Sequence, residues 1–118
     1  MWVDHLRRGD AELVVLLERG AVVMHPFVVD EIACGSLADR PSILELLQDL
    51  PSAVVADQAE VLGFIERHGL HGKGIGYVDV HLLASVALTD EAWLWTRDKR
   101  LRAAAGDLGC AYGGVGTH

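Results

Sequence analysis

Hydrophobic residues recur at helical spacing from the first third of the chain onward. Leu13, Leu16 and Leu17 form one apolar face that starts just after Asp10, a residue suited to cap a helix. Gly20 stands where a left-handed terminating residue belongs. The pattern therefore predicts a helix between Asp10 and Gly20, preceded by one or two helical turns over residues 2–6.

The same spacing predicts five further helices, and residues at their boundaries support them. Pro26 suits the first turn of one helix, and Pro51 ends the next. Asp57 and Glu60 have the spacing of a capping box, and Asp98 can cap the last helix. The predicted helices cover residues 26–32, 43–50, 57–68, 79–88 and 99–108.

Three short apolar runs between these helices read as buried strands, at residues 21–24, 54–55 and 92–95. Helices that alternate with short strands predict an α/β domain whose mostly parallel sheet is covered by helices on both faces. We expect a single domain over residues 1–118. Since such a domain normally begins with a strand, the helical start suggests that a first strand is missing.

Composition narrows the class of protein. The 118 residues are 51% hydrophobic, with mean hydropathy +0.26, which suits a globular domain and not a disordered chain. The net charge of −7 argues against bulk attraction to nucleic acid, so any such role needs a local site. Two cysteines are too few for a disulfide framework, and no signal peptide or membrane span is recognisable, so we expect a cytoplasmic protein.

Three acidic residues lie next to apolar runs, where a solvated carboxylate is not expected: Glu31, Asp79 and Asp98. Each lies near a predicted helix start. In an open α/β sheet these starts gather at the carboxyl ends of the strands, so the three acids could converge on one crevice. Converged carboxylates need compensation, and Mg²⁺ or Mn²⁺ with its preference for oxygen ligands supplies it. The pattern is typical of a metal-dependent hydrolase.

Structural interpretations compete with this one. Asp98 could be only a helix cap, and Glu31 alone is more often a solvated helix residue. For Asp79, with Val78 and Val80 beside it, a plain surface role fits less well.

Other chemistry-bearing residues favour structural explanations. Gly72, Gly74 and Gly76 recur like a phosphate loop, but their spacing matches neither the dinucleotide fingerprint nor a P-loop, which favours a flexible loop over a nucleotide-binding module. The six histidines show no metal-ligand spacing and read as structural or solvated. Cys34 and Cys110 read as buried small hydrophobes.

Four segments, in this order, resemble the VapC-type toxins of the PIN-domain ribonucleases. They are residues 2–7 (WVDHLR), 25–31 (HPFVVDE), 74–85 (GIGYVDVHLLAS) and 94–101 (LWTRDKRL). The resemblance spans nearly the whole chain. It implies a three-layer α/β/α fold and Mg²⁺- or Mn²⁺-dependent cleavage of RNA by the toxin of a type II toxin–antitoxin pair.

The resemblance also implies roles for residues of this chain. Its acidic catalytic and metal-binding positions match Glu31, Asp79 and Asp98, and Thr96 matches a hydroxyl beside the site. The resemblance further implies that the protein binds a VapB-type antitoxin, and that it forms a homodimer, as these toxins often do. The basic residues around these acids could steer the RNA backbone, or could form an ordinary solvated face: Lys73, Arg97, Lys99 and Arg100.

One family feature has no match in this sequence. Members carry a hydrophobic strand ending in an acidic metal ligand before the segment at residues 2–7, whereas Met1 directly precedes Trp2 here. Asp4 matches an acid of the following helix and is not assigned as a ligand. We therefore expect weak metal binding, poor RNA cleavage and reduced stability. The alternative is a catalytically impaired remnant that acts only as an antitoxin-binding module.

Overall fold

Six helices make up most of the residues that the structure describes. The computed structural model describes residues 11–36 and 38–112, and these divide into two compact units between Ala53 and Val54. The helices are α1 (Ala11–Glu18), α2 (Pro26–Ala33), α3 (Arg40–Asp49), α4 (Gln58–His68), α5 (Tyr77–Leu88) and α6 (Lys99–Asp107).

The first unit is built on the packing of α2 against α3. Met24, Ile32 and Leu47 are buried at its centre, with partly buried aliphatic side chains from both helices around them. His25 caps α2, because its Nδ1 atom accepts a hydrogen bond from the Phe27 N–H at 3.0 Å. This buried histidine is structural, as the sequence predicted.

The second unit is built around α5, which packs against α4. Leu83 is completely buried, and Val61 and Leu101 join α4 and α6 to the same core. Ser85, which is 1% exposed, donates its hydroxyl hydrogen bond to the Val54 carbonyl. One turn further along, Thr89 Oγ1 accepts from the Val54 N–H at 3.0 Å. The two hydroxyls therefore satisfy both backbone groups of Val54.

The predicted helices after residue 10 are confirmed, with small shifts at their ends. Asp57 and Glu60 form both hydrogen bonds of the capping box, and α4 ends at Gly69 in the left-handed conformation. Helix α5 begins at Tyr77, two residues before the predicted start, because Gly76 is the extended residue that precedes it. The predicted turns at residues 2–6 and the predicted cap Asp10 lie outside the described residues.

The predicted strands are represented only by isolated bridges in residues 11–36 and 38–112. Met24 pairs with Ser52, and Leu94 pairs with Ala111, both in the parallel sense. Residues 54–55 form no bridge, and the backbone groups of Val54 are hydrogen-bonded to the hydroxyls of Ser85 and Thr89. The parallel sense agrees with the predicted sheet, but these bridges do not establish an α/β sheet.

Burial of the cysteines differs from the prediction. Cys34 is exposed because it follows the last residue of α2 as its cap, so its predicted burial is wrong. Cys110 is partly buried against the core of the second unit, and this burial raises the pKa of its thiol. As for membrane insertion, none of the helices in the described ranges has the length and apolar character needed to cross a bilayer.

Candidate active site

Asp79 lies in the first turn of α5. It is the third residue of the helix, between the partly buried Val78 and the buried Val80. The carboxylate is itself partly buried, which agrees with the expectation that it is no ordinary surface acid. Its place near the amino end of the helix lets the helix dipole stabilise negative charge.

Asp98 is the cap residue of α6. Its Oδ1 atom accepts a hydrogen bond from the Leu101 N–H at 2.9 Å, so the predicted cap is confirmed. Its own N–H donates to Thr96 Oγ1 at 3.1 Å. The Thr96 hydroxyl and the first turn of α6 therefore fix the position of Asp98 from both sides.

The first turns of α5 and α6 place Asp79 and Asp98 close enough for their charges to interact. The pKa of Asp79 is raised from its ordinary value, first because partial burial removes water from the carboxylate and second because the Asp98 carboxylate repels it. The convergence of the three acids on one crevice stays a prediction, and the interaction recorded is the one between Asp79 and Asp98. A carboxylate whose pKa is raised by partial burial and by a second carboxylate is typical of a functional site.

Arg100 extends from the first turn of α6 to the loop before α5. A Cβ atom on Gly74 would lie 2.5 Å from Arg100 Nη1 and 3.2 Å from Cδ and Cζ, so the arginine side chain lies directly on the Gly74 backbone. The other basic residues singled out from the sequence, Lys73, Arg97 and Lys99, are exposed. Positive charge therefore adjoins the amino ends of both helices.

Glu31 lies in the first unit, near the end of α2, where it is exposed. The residues described, 11–36 and 38–112, contain no group of three or more His, Cys, Asp and Glu side chains arranged to hold a metal ion. The acids whose interaction the structure records are therefore the pair Asp79 and Asp98. A role for Glu31 beside them stays a prediction.

Sequence reasoning missed the part played by Gly74. The glycine-rich loop reads as flexible, and no spacing rule links a glycine to an arginine 26 residues later. Its φ of +73° shows that the backbone has the left-handed conformation favoured by glycine, and the missing side chain leaves the space that Arg100 occupies. Only the packing of α6 beside the loop reveals this.

Comparison with known proteins identifies two close relatives. Ribonuclease VapC32 of Mycobacterium tuberculosis, from strain CDC 1551 / Oshkosh and from strain ATCC 25618 / H37Rv, is 47% identical to this chain over 111 residues. The match covers 94% of this chain and 90% of each relative. No profile of a protein family and no solved structure matches the chain. Identity at this level over almost the full length of both proteins shows that the chain belongs to the VapC family of toxin ribonucleases.

Proposed function

We propose that this protein is a divalent-metal-dependent endoribonuclease toxin of a type II toxin–antitoxin system, hydrolysing phosphodiester bonds of RNA. The observation that carries the proposal is the pair of interacting carboxylates, Asp79 and Asp98, in a chain related to ribonuclease VapC32. Mutual repulsion of two acids is a cost in the free protein, and a bound cation would remove it.

The donor set suits Mg²⁺ or Mn²⁺. Carboxylate oxygens are the ligands that these hard cations prefer, and the pKa of Asp79 is raised by partial burial and by repulsion from Asp98, which a bound cation would offset. Asp79 and Asp98 would hold the cation, and the family resemblance adds Glu31 as a third ligand. Such a cation activates water and neutralises charge on the phosphate undergoing attack.

The neighbours of Asp98 orient its carboxylate. One oxygen accepts a hydrogen bond from the Leu101 N–H, and the other is the oxygen that would bind a ligand. Thr96 holds the Asp98 backbone through its hydroxyl, so its role is to position the acid. An acid fixed in this way loses little conformational freedom when it binds, which favours accurate placement of the reacting groups.

Basic side chains near the acids would guide the RNA. Although the protein carries a net charge of −7, Lys73, Arg97, Lys99 and Arg100 lie in the loop before α5 and at the start of α6. Their charges offset the negative carboxylates locally and would attract the phosphate backbone.

The proposal includes the partners of a VapC toxin, a VapB-type antitoxin and a second copy of the chain, in the cytoplasm where the RNA substrate is found. Helix α1 presents Val14 and Val15 to solvent, 39% and 42% exposed, and exposed apolar residues of this kind suit a protein interface. The proposed fold is the three-layer α/β/α arrangement with a mostly parallel sheet, supported by the parallel sense of both bridges.

Cleavage of a single-stranded RNA mixture in Mn²⁺ tests the function. We expect cleavage by the wild-type protein that stops in EDTA and is lost in Asp79→Asn. Asp98→Asn is expected to lose cleavage as well, and its matched control is Asp57→Asn, because Asp57 caps α4 with the same hydrogen bond that Asp98 makes in α6. Equal activity of wild type and Asp79→Asn would reject the carboxylate site.

The same experiment separates the proposal from its alternative, an impaired member that only binds an antitoxin. That alternative predicts no EDTA-sensitive cleavage by the wild-type protein together with stable binding of a VapB-type antitoxin. The interacting acids favour the enzyme, because a binding module gains nothing from keeping Asp79 and Asp98 together at the amino ends of two helices.

A further inference from the structure

Arg100 is held on the backbone of a glycine in a neighbouring loop. A methyl group on Gly74 would lie 2.5 Å from Arg100 Nη1, closer than a carbon and a nitrogen can approach. Cδ and Cζ of the arginine would lie 3.2 Å from that methyl group, so the outer half of the side chain occupies the space that a side chain on residue 74 would need. Arg100 is otherwise exposed.

The Arg100 guanidinium has no recorded hydrogen bond or ion pair with any group of residues 11–36 and 38–112. A guanidinium presents several N–H donors in a planar fork that matches the oxygens of a phosphate. Arg100 also lies two residues after Asp98, in the same helical turn.

We propose that Gly74 is a positioning residue that holds the Arg100 guanidinium to bind an RNA phosphate next to the bond that is cleaved. The inference rests on the proposed function and adds a specific phosphate contact to it. Two features of the fold support the location: the loop carrying Gly74 leads into α5, where Asp79 lies, and Arg100 follows Asp98 at the start of α6. The phosphate contact and the carboxylate pair therefore belong to the same two helix ends.

Gly72 provides a matched control for Gly74. The two glycines have the same backbone strain on substitution, since φ is +72° at Gly72 and +73° at Gly74. They differ in surroundings, because a Cβ on Gly72 has nothing within 4 Å. Gly72→Ala therefore strains the loop alone, and Gly74→Ala strains the loop and displaces Arg100.

The experiment measures binding of a fluorescein-labelled 20-nucleotide single-stranded RNA in EDTA, and cleavage of the same RNA in Mn²⁺. We expect Gly74→Ala and Arg100→Ala each to weaken binding about tenfold, the effect of one charge-assisted hydrogen-bonded contact. The main kinetic change is then a rise in KM, with kcat less affected. The slope of log affinity against log salt falls by about 0.7, as expected for the loss of one phosphate contact to single-stranded RNA. Gly72→Ala stays within about twofold of wild type.

The double variant Gly74→Ala/Arg100→Ala completes the test. If glycine acts through the arginine, the double variant binds RNA no more weakly than Arg100→Ala alone. Equal losses in Gly72→Ala and Gly74→Ala, or additive losses in the double variant, would overturn the positioning role while leaving the ribonuclease proposal intact. A wild-type protein that neither binds nor cleaves RNA would instead reject the proposed function, and this inference with it.

Discussion

Substitutions at Asp98 separate its two functions, helix cap and acidic ligand. The carboxylate accepts the Leu101 N–H at 2.9 Å and lies beside Asp79. Asparagine caps a helix about as well as aspartate but carries no charge. Asp98→Asn therefore keeps the cap and removes the ligand, whereas Asp98→Ala removes both.

The two Asp98 variants are expected to differ in stability but to lose RNA cleavage to a similar extent. Loss of the cap in Asp98→Ala is expected to cost about 1 kcal/mol, which lowers Tm by about 4 °C for a domain of this size. Asp98→Asn is expected to unfold within about 1 °C of wild type, because the lost charge also relieves repulsion on Asp79. RNA cleavage in Mn²⁺ is expected to fall at least about 100-fold in both variants, since the catalytic geometry depends on the ligand.

The assay combines thermal unfolding with RNA cleavage for Asp98→Asn, Asp98→Ala and the corresponding pair at Asp57. Asp57 makes the equivalent bond to the Glu60 N–H at 2.8 Å, so its alanine variant shares the loss of stability without the loss of activity. If Asp98→Asn cleaves RNA as fast as Asp57→Asn, Asp98 is only a helix cap and the reasoning fails.

Three further outcomes follow from the same structure. The folded protein raises the pKa of Asp79 above its ordinary value of 3.8, so the charged carboxylate lowers the stability of the protein as pH rises above that value. In metal-free buffer at pH 7, Asp79→Asn should therefore be more stable than wild type, by at most about 1 kcal/mol given solvent screening. Urea unfolding below pH 3.8 should show that this advantage is lost. Calorimetry should show Mn²⁺ binding that Asp79→Asn weakens at least about tenfold. If Glu31→Gln binds Mn²⁺ with the same affinity as wild type, Glu31 is not a ligand. Ser85→Ala deprives the Val54 carbonyl of its buried donor and should lower the free energy of unfolding by about 1–3 kcal/mol, and a loss below about 0.5 kcal/mol in urea titration would contradict this assignment.

Local signals predicted the helices because their causes are local. Asp57 and Glu60 lie three residues apart, and that spacing alone determines the capping box. Asp98 was recognisable as a cap for the same reason. The sheet depends instead on partners distant in the chain, and hydroxyl groups of α5 meet the hydrogen-bonding needs of Val54 without a strand.

In the candidate site, too, local sequence signals predicted some features and missed the features that depend on distant residues. Apolar neighbours singled out Asp79, and its partial burial agrees with that signal. No sequence pattern predicted the contact between Gly74 and Arg100, because the residues around a glycine do not determine which distant side chain packs against it. Contacts of this kind require the packing of two helices and a loop, which no local pattern encodes.

The hydroxyl pair of α5 has a consequence for Asp79 at the opposite end of that helix. Ser85 and the cap residue Thr89 bind the two backbone groups of Val54, which restrains the carboxyl end of α5 against sliding along or rotating about its axis. Asp79 lies ten residues before Thr89, about 15 Å away at the rise of an α-helix. Because the helix is hydrogen-bonded along its length, a shift at the Thr89 end would be transmitted to Asp79. We therefore expect Thr89 to influence the position of the carboxylate from the opposite end of the helix.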